Sequence, residues 1–226
     1  LCNDEIISDF EKISSLLLFD NLVQENSIDI KERISRELYL EKVQKMQKHI
    51  QRGDIYEANF CMEFYAELAK INPLVVFEKL NTISNPPFAT FLKNNNHFLM
   101  SASPERYIKK EGQKIISQPI KGTAKRGQSN EEDLLNKENL RNNPKERSEN
   151  IMIVDLVRND LSKTATKGSV KVEELCEIYT FDQVHQMIST IVSEIDDETD
   201  VVDVLSSTFP MGSMTGAPKL SAMQII

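Results

Sequence analysis

The 226-residue sequence contains no apolar run long enough to span a bilayer, which takes about 18 residues in succession, so a membrane-crossing helix is not expected. Its opening residues, Leu-Cys-Asn-Asp-Glu, lack both the basic stretch and the apolar stretch of a secretory signal. Cysteine is sparse: Cys2, Cys61 and Cys176 form no CxxC pair and no zinc spacing. Isolated thiols suit a reducing compartment, so the cytoplasm is the expected location, and each cysteine reads as a small apolar residue. Positive charge is also short, with 27 Lys+Arg against 35 Asp+Glu and a net charge of −8. That argues against nucleic acid as the main partner, because neutralising phosphates needs a basic face. A small anionic ligand stays open, since one local group of cations can override the global sign. There is no internal repeat and no low-complexity tract.

Hydrophobic residues make up 40% and charged residues 27%, enough apolar material for a real core. The sequence does not begin with Met, and it stops at Ile225-Ile226 with no helix stop signal, so a fragment is expected. Residues 1–35 are irregular, with an apolar burst at Leu16-Leu17-Leu18-Phe19, and carry no motif. Residues 36–226 are the expected functional domain. Leu38, Leu40, Val43, Met46 and Ile50 recur at helical spacing over Glu37–Arg52, and Gly53 stops that helix. Alternation over Tyr56, Ala58, Phe60, Met62 and Phe64 predicts a half-buried strand. A helix is predicted over 73–81. Hairpins are predicted over Phe88–Leu92 with Phe98–Met100 and over Arg106–Lys109 with Lys114–Ser117. Helices are predicted at Glu131–Asn139, from Pro144 to about Asp160, at Asp182–Glu194, at Asp200–Phe209 and from Pro218, with a strand at Val170–Tyr179. Strands and helices come in blocks rather than as regular βαβ units, which favours an α+β fold of mostly antiparallel sheet with helices packed on it.

Five segments concentrate chemistry. In Gln118-Pro119-Ile120-Lys121-Gly122-Thr123, Lys121 sits at an otherwise apolar strand end. Desolvation there favours a neutral amine that can act as a nucleophile; a surface Lys before a turn Gly is the plainer alternative. Gly122 permits close approach of a ligand, and Thr123 offers a hydroxyl and an N–H. Glu105, after Ser103-Pro104, is held on a fixed backbone and suits a general acid if its surroundings are apolar, or else is a surface turn residue. Glu146 and Glu149 share one helix face at i and i+3, an arrangement that suits Mg²⁺ between them or a solvated face. His185 lies among Val184, Met187 and Ile188, where a satisfied core histidine competes with a catalyst. Pro210-Met211-Gly212-Ser213-Met214-Thr215-Gly216-Ala217-Pro218-Lys219 leads small and hydroxyl residues into a helix whose free N–H groups could bind a carboxylate, or forms an ordinary junction. It does not have the spacing of a GxxxxGKS phosphate loop.

The order SASPERY, QPIKGTAKRG, KERSENIMIVDLVRNDL, GSVKV, VHQMISTI and FPMGSMTGAPKLSAMQII resembles the chorismate-utilising enzymes: anthranilate, aminodeoxychorismate, isochorismate and salicylate synthases. The likeness covers about 36–226 and is densest from Ser101. Within that family Pro-Ile-Lys-Gly-Thr is similar to the aminodeoxychorismate synthases, where anthranilate synthases read PIAGT. The resemblance implies a layered α+β fold with its C-terminal part missing here, and a substrate, chorismate. It implies Lys121 as nucleophile and Glu105 as acid, with His185 near the reacting ring. It places Gly122, Thr123, Ser213, Thr215 and Gly216 in the substrate pocket and Mg²⁺ on Glu149, with Glu146 nearby. It further implies a glutamine amidotransferase subunit that supplies ammonia. Anthranilate synthase, isochorismate synthase and a non-catalytic binding fragment are the alternatives.

Overall fold

The computed structural model describes residues 3–15 and 28–226; Cys2 and the Leu16–Phe19 burst lie outside the described residues. The described chain falls into two compact units, one of residues up to Lys31 with Phe64–Pro104, the other of Glu32–Glu63 with Glu105–Ile226.

The smaller unit holds the helix Asn3–Ser15, the helix Pro73–Ser84 and a hairpin of Phe88–Asn94 with His97–Ser103. Asn72 caps the second helix by accepting from the N–H groups of Leu74 and Val75, and Pro73 takes the first helical position, where no N–H is needed. The hairpin keeps unbroken register from Phe88 opposite Ser103 to Asn94 opposite His97, and Asn95 turns it with φ +53°. Phe91 packs its ring between Phe77 and Phe98, at centroid distances of 5.4 and 6.1 Å.

The larger unit is built on a five-stranded antiparallel sheet. Its central strand is Val184–Glu194. On one edge that strand pairs with Ile120–Lys125 along its first half and with Lys114–Gln118 along its second. Pro119, which has no N–H to give a ladder, separates these two segments. Lys171–Thr180 lies along the other edge, and Arg106–Glu111 pairs outside Lys114–Gln118. The predicted helix over Asp182–Glu194 is therefore incorrect: the segment is a strand. Its apolar residues do fall three and four apart, but Val184, Ile188, Thr190, Ile191 and Val192 are β-branched. Every residue between Val184 and Glu194 is buried, the signature of a strand covered on both faces rather than of an amphipathic helix.

The long helix Pro144–Ser162 lies across this sheet. Ile153, Val154, Val157 and Leu161 from the helix meet Ile115, Ile191, Ile195 and Val204 in the main core. A second cluster joins Leu140, Cys176, Ile178 and Met187. The helix Arg36–Arg52 begins at Ser35, whose hydroxyl accepts from Leu38 N–H, and ends at Gly53, whose φ of +81° needs no Cβ. The strand predicted over 56–64 is reduced to the pair Glu57–Ala58, with Phe64–Tyr65 separate. Glu57–Ala58 pairs with Gly216–Ala217, and Tyr56 N–H and Asn59 N–H donate to the carbonyls of Ala217 and Thr215 at 2.7 and 2.8 Å. The alternation thus marks a clamp on a loop rather than a long sheet strand. Among the described residues no helix is long and apolar enough to cross a membrane.

Candidate active site

Lys121 lies on the strand Ile120–Lys125, just before Gly122. Gly122 has φ +95°, and a Cβ there would come within 3.2 Å of Glu146 Cβ and Oε2 and of Leu140 Cδ1. Glycine therefore lets the strand meet the first turn of the long helix. Asn143 caps that turn, accepting from Lys145 N–H and Glu146 N–H at 3.0 and 3.2 Å. Glu146 is thereby held against the residue beside Lys121. Glu149 follows one turn later and pairs with Lys145 at 3.6 Å.

The amine of Lys121 stands 3.5 Å from Glu57 Oε1, each side chain 18% exposed. That oxygen is sealed from solvent and receives no well-formed hydrogen bond. Burial raises the Glu57 pKa above its ordinary value; Lys121 opposes this and the charge of Glu149 adds to it. Glu57 was not singled out in the sequence. It takes an ordinary polar position in the alternation of residues 56–64, so nothing in the pattern marked it.

Glu105 faces the same strand. Its Oε1 accepts from Ile120 N–H at 3.0 Å and from Ser213 Oγ–H at 2.7 Å. Its carboxyl is pushed above the usual range by burial, against the pull of those two donors and of the Lys121 charge. The loop that brings Ser213 is fixed from three sides. Asn59 Nδ2 donates to Ser213 O at 2.6 Å. Gly212 leaves no room for a Cβ, which would sit 2.5 Å from Leu156 Cδ2. The buried Lys219 ammonium donates to Thr208 O and Pro210 O at 2.8 and 2.9 Å and pairs with buried Asp160. Lys219 and Asp160 thus anchor the loop, a role the sequence pattern did not suggest.

The other expected site residues divide. Thr123 lies opposite Gln186 on the central strand. Thr215 turns its hydroxyl inward to Gly212 O at 3.1 Å, and Gly216 is packed against Glu57 O, so both shape the loop itself. His185 is 1% exposed and lies opposite Ala124, on the sheet face away from Gln186. Its two ring nitrogens meet Thr180 Oγ1 at 3.0 Å and Asp133 Oδ1 at 2.9 Å. Asp133 in turn accepts from both arms of Arg126 and from Gly127 N–H. Arg126 first, then Gly127 N–H, and more weakly His185, hold the Asp133 carboxyl well below its ordinary range. Of the two readings the sequence left open for His185, this geometry matches the satisfied core histidine.

Asn150, on the long helix, ties the site to the sheet. Its Nδ2 donates to Met187 O at 3.2 Å and reaches Lys121 O at 3.4 Å, while its Oδ1 accepts from Ser189 Oγ–H. A cleft lined by Tyr56, Met152, Leu156, Arg158 and Pro218 contains none of Lys121, Glu105 or Glu149. Among the described residues no three His, Cys, Asp or Glu side chains gather closely enough to enclose a metal.

The profile of the chorismate binding enzyme family matches residues 6–226, and the chain belongs to that family. Aminodeoxychorismate synthase component 1 of Klebsiella aerogenes is 40% identical over 193 residues, 85% of this chain and 43% of its own length. Anthranilate synthase component 1 of Aquifex aeolicus is 36% identical over 192 residues, 85% of this chain and 39% of its own. The crystal structure of anthranilate synthase component I from Streptococcus pneumoniae superposes with a TM-score of 0.82 at 25% identity, over 99% of this chain and 49% of that one. The α+β architecture is therefore that of the chorismate-utilising enzymes. The chain spans less than half the length of the curated relatives it matches.

Proposed function

We propose that this chain belongs to an aminating synthase of the cytoplasm. It would convert chorismate and ammonia to 4-amino-4-deoxychorismate and water, with ammonia delivered by a glutamine amidotransferase subunit. The observation that carries this reading is Lys121 within the Pro-Ile-Lys-Gly-Thr segment, mostly buried beside Glu57 and close enough to Glu105 to act on its titration. The name of the Klebsiella relative, component 1 of an aminodeoxychorismate synthase, supports it and suggests a second component.

In this mechanism Lys121, once its ammonium has given up a proton, attacks C2 of the chorismate ring as the C4–O bond breaks. Hydroxide is a poor leaving group, so Glu105 gives its proton and water departs. The raised pKa of Glu105 suits that step, because more of the acid form survives toward neutral pH. Ammonia then attacks C4, the Lys121 amine leaves C2 with the electrons of the C–N bond, and one proton of the new C4 ammonium returns to Glu105, which restores the enzyme and leaves the enolpyruvyl group in place. Gly122 and Thr123 line the approach, and Ser213 holds Glu105.

A magnesium ion suits the donor set here. The oxygen donors Glu146 and Glu149 lie on one helix face, Glu57 has a buried oxygen without a hydrogen bond, and Mg²⁺ ordinarily takes one or two carboxylates alongside water and substrate oxygens. Glu149, with Glu146, would hold it, and when bound it would supply charge neutralisation at the substrate carboxylate.

The test is product formation from chorismate and ammonium in the full-length protein. Wild type should give the unaromatised amino product, and Lys121→Ala should abolish it. Anthranilate or isochorismate as the product, or an undiminished Lys121→Ala rate, would overturn the proposal.

A further inference from the structure

The central strand is bulged against both of its neighbours where it passes the site. On one side Gln186 lies opposite Thr123 and Ile188 opposite Ile120, so Met187 alone spans the two residues Lys121 and Gly122. On the other side Ile188 lies opposite Glu177 and Thr190 opposite Glu174, so Ser189 alone spans Leu175 and Cys176. Cys176 takes φ +56° there, a left-handed conformation uncommon outside glycine. An extra residue in one strand disrupts the ladder locally and re-aims the side chains beside it. The candidate nucleophile sits in such a break.

One side chain bridges both bulges. Asn150 is 1% exposed, and its Oδ1 accepts from Ser189 Oγ–H, with the Cys176 thiol 3.6 Å away. Ser189 Oγ itself accepts from Cys176 N–H at 2.9 Å, which leaves its own hydrogen for Asn150. The sense of the amide is thereby fixed. With Oδ1 turned to the Cys176 bulge, Nδ2 faces the other one, donating to Met187 O at 3.2 Å and reaching Lys121 O at 3.4 Å. A chain of hydrogen bonds thus runs from Cys176 to the peptide of Lys121.

We propose that Asn150 is a positioning residue for Lys121. Its amide pins the Lys121–Gly122 peptide across the break in the ladder, so the side chain that leaves the same backbone keeps its aim. The role rests on the proposed function for the reaction it serves. Asn150 does not touch the reacting atoms; it works through the backbone from which the amine extends. Gly122, with φ +95°, gives that backbone freedom rather than restraint. A lysine side chain is long and rich in rotamers, whereas attack on carbon needs one direction, so the restraint must come from the peptide's surroundings.

The experiment uses Asn150→Ala in the full-length protein with chorismate and Mg²⁺, without and with ammonium. Per folded molecule, the C2 adduct on Lys121 should form roughly 10–10²-fold more slowly, the cost of misplacing a reacting group by about an ångström. With ammonium, kcat should fall in parallel while the KM for chorismate stays within about threefold, because ground-state binding is untouched. A merely structural role would lower the yield of folded protein and leave the rate of each folded molecule alone. Ser189→Ala is the second variant: it frees the amide to turn, and should slow the adduct by roughly three- to tenfold. A wild-type adduct rate in folded Asn150→Ala would overturn the inference, as would an effect confined to the KM for chorismate. If Asn150→Ala fails to fold, a wild-type rate in Ser189→Ala would overturn it. Failure of both variants to fold would do the same, since the network would then serve the fold alone. Wild-type protein that forms neither adduct nor amino product would instead overturn the proposed function.

Discussion

Two polar clusters flank the same pair of strands and are built in opposite ways. Around His185 every polar group is answered: Thr180 and Asp133 take the ring, and Arg126 and Gly127 complete Asp133. Around Lys121 the accounts stay open: Glu57 has a sealed oxygen without a hydrogen bond, Glu105 and Glu57 are held above their ordinary titration range, and Gln186 opposite Thr123 lacks a donor. A saturated network rigidifies a core, whereas unmet hydrogen-bonding capacity and displaced pKa values mark places where a ligand completes the structure. On the proposed function, the first cluster serves stability and the second serves chemistry.

The contrast breaks most sharply through the Lys121 side. Glu105→Gln should lower the rate of amino-product formation by roughly 10²–10⁴-fold while leaving the folded yield intact, since a general acid commonly contributes that much. A loss under about threefold, measured with saturating ammonium, would return Glu105 to the structural side. Glu149→Gln should raise the Mg²⁺ concentration for half-maximal rate by about tenfold or more. A Mg²⁺ titration superposable on wild type would remove Glu149 from the metal site.

The His185 side should respond in stability. His185→Leu leaves Asp133 short of one donor and Thr180 without its partner, and should destabilise the fold by about 1–3 kcal/mol in urea unfolding. Its kcat should stay within a few-fold of wild type; a collapse of kcat in a well-folded variant would make His185 catalytic after all. Asp133→Asn sharpens the same point through pH. Because the folded-state pKa of Asp133 lies below its ordinary value of 3.8, its carboxylate stabilises the fold above that pH and loses the effect as pH falls toward the folded value. The stability gap between wild type and Asp133→Asn should therefore be widest near neutrality and close in acid.

The smallest expected effect lies at Ser213. Its hydroxyl donates to Glu105 and lowers that pKa against burial. Ser213→Ala should move the alkaline limb of the rate profile to higher pH, because Glu105 must be protonated to act. A limb that stays put, or moves to lower pH, would contradict that coupling.

Much of this architecture was legible in the sequence because local chemistry settled it. Asn72-Pro73, Asn143-Pro144 and Gly53 punctuate helices by capping and by φ, and those boundaries appear close to where the residues place them. The central strand was misread because a strand buried on both faces has no polar side to reveal its period. The candidate site was partly legible: Lys121, Glu105, Glu146 and Ser213 come together around a strand end. Glu57, Asn59 and Lys219 could not be found that way, since each reaches the site through contacts distant in sequence, such as Asn59 to Ser213. The same misassignment hid that His185 and Gln186, adjacent in the chain, lie on opposite faces of the sheet.

The central claim is that the Lys121 amine bonds carbon. Mass spectrometry of the full-length protein, mixed with chorismate and Mg²⁺ in the absence of ammonium, tests it directly. The account predicts a gain equal to chorismate less water on the peptide that contains Lys121, removed when ammonium is added. An unmodified peptide in protein that goes on to make amino product would contradict it.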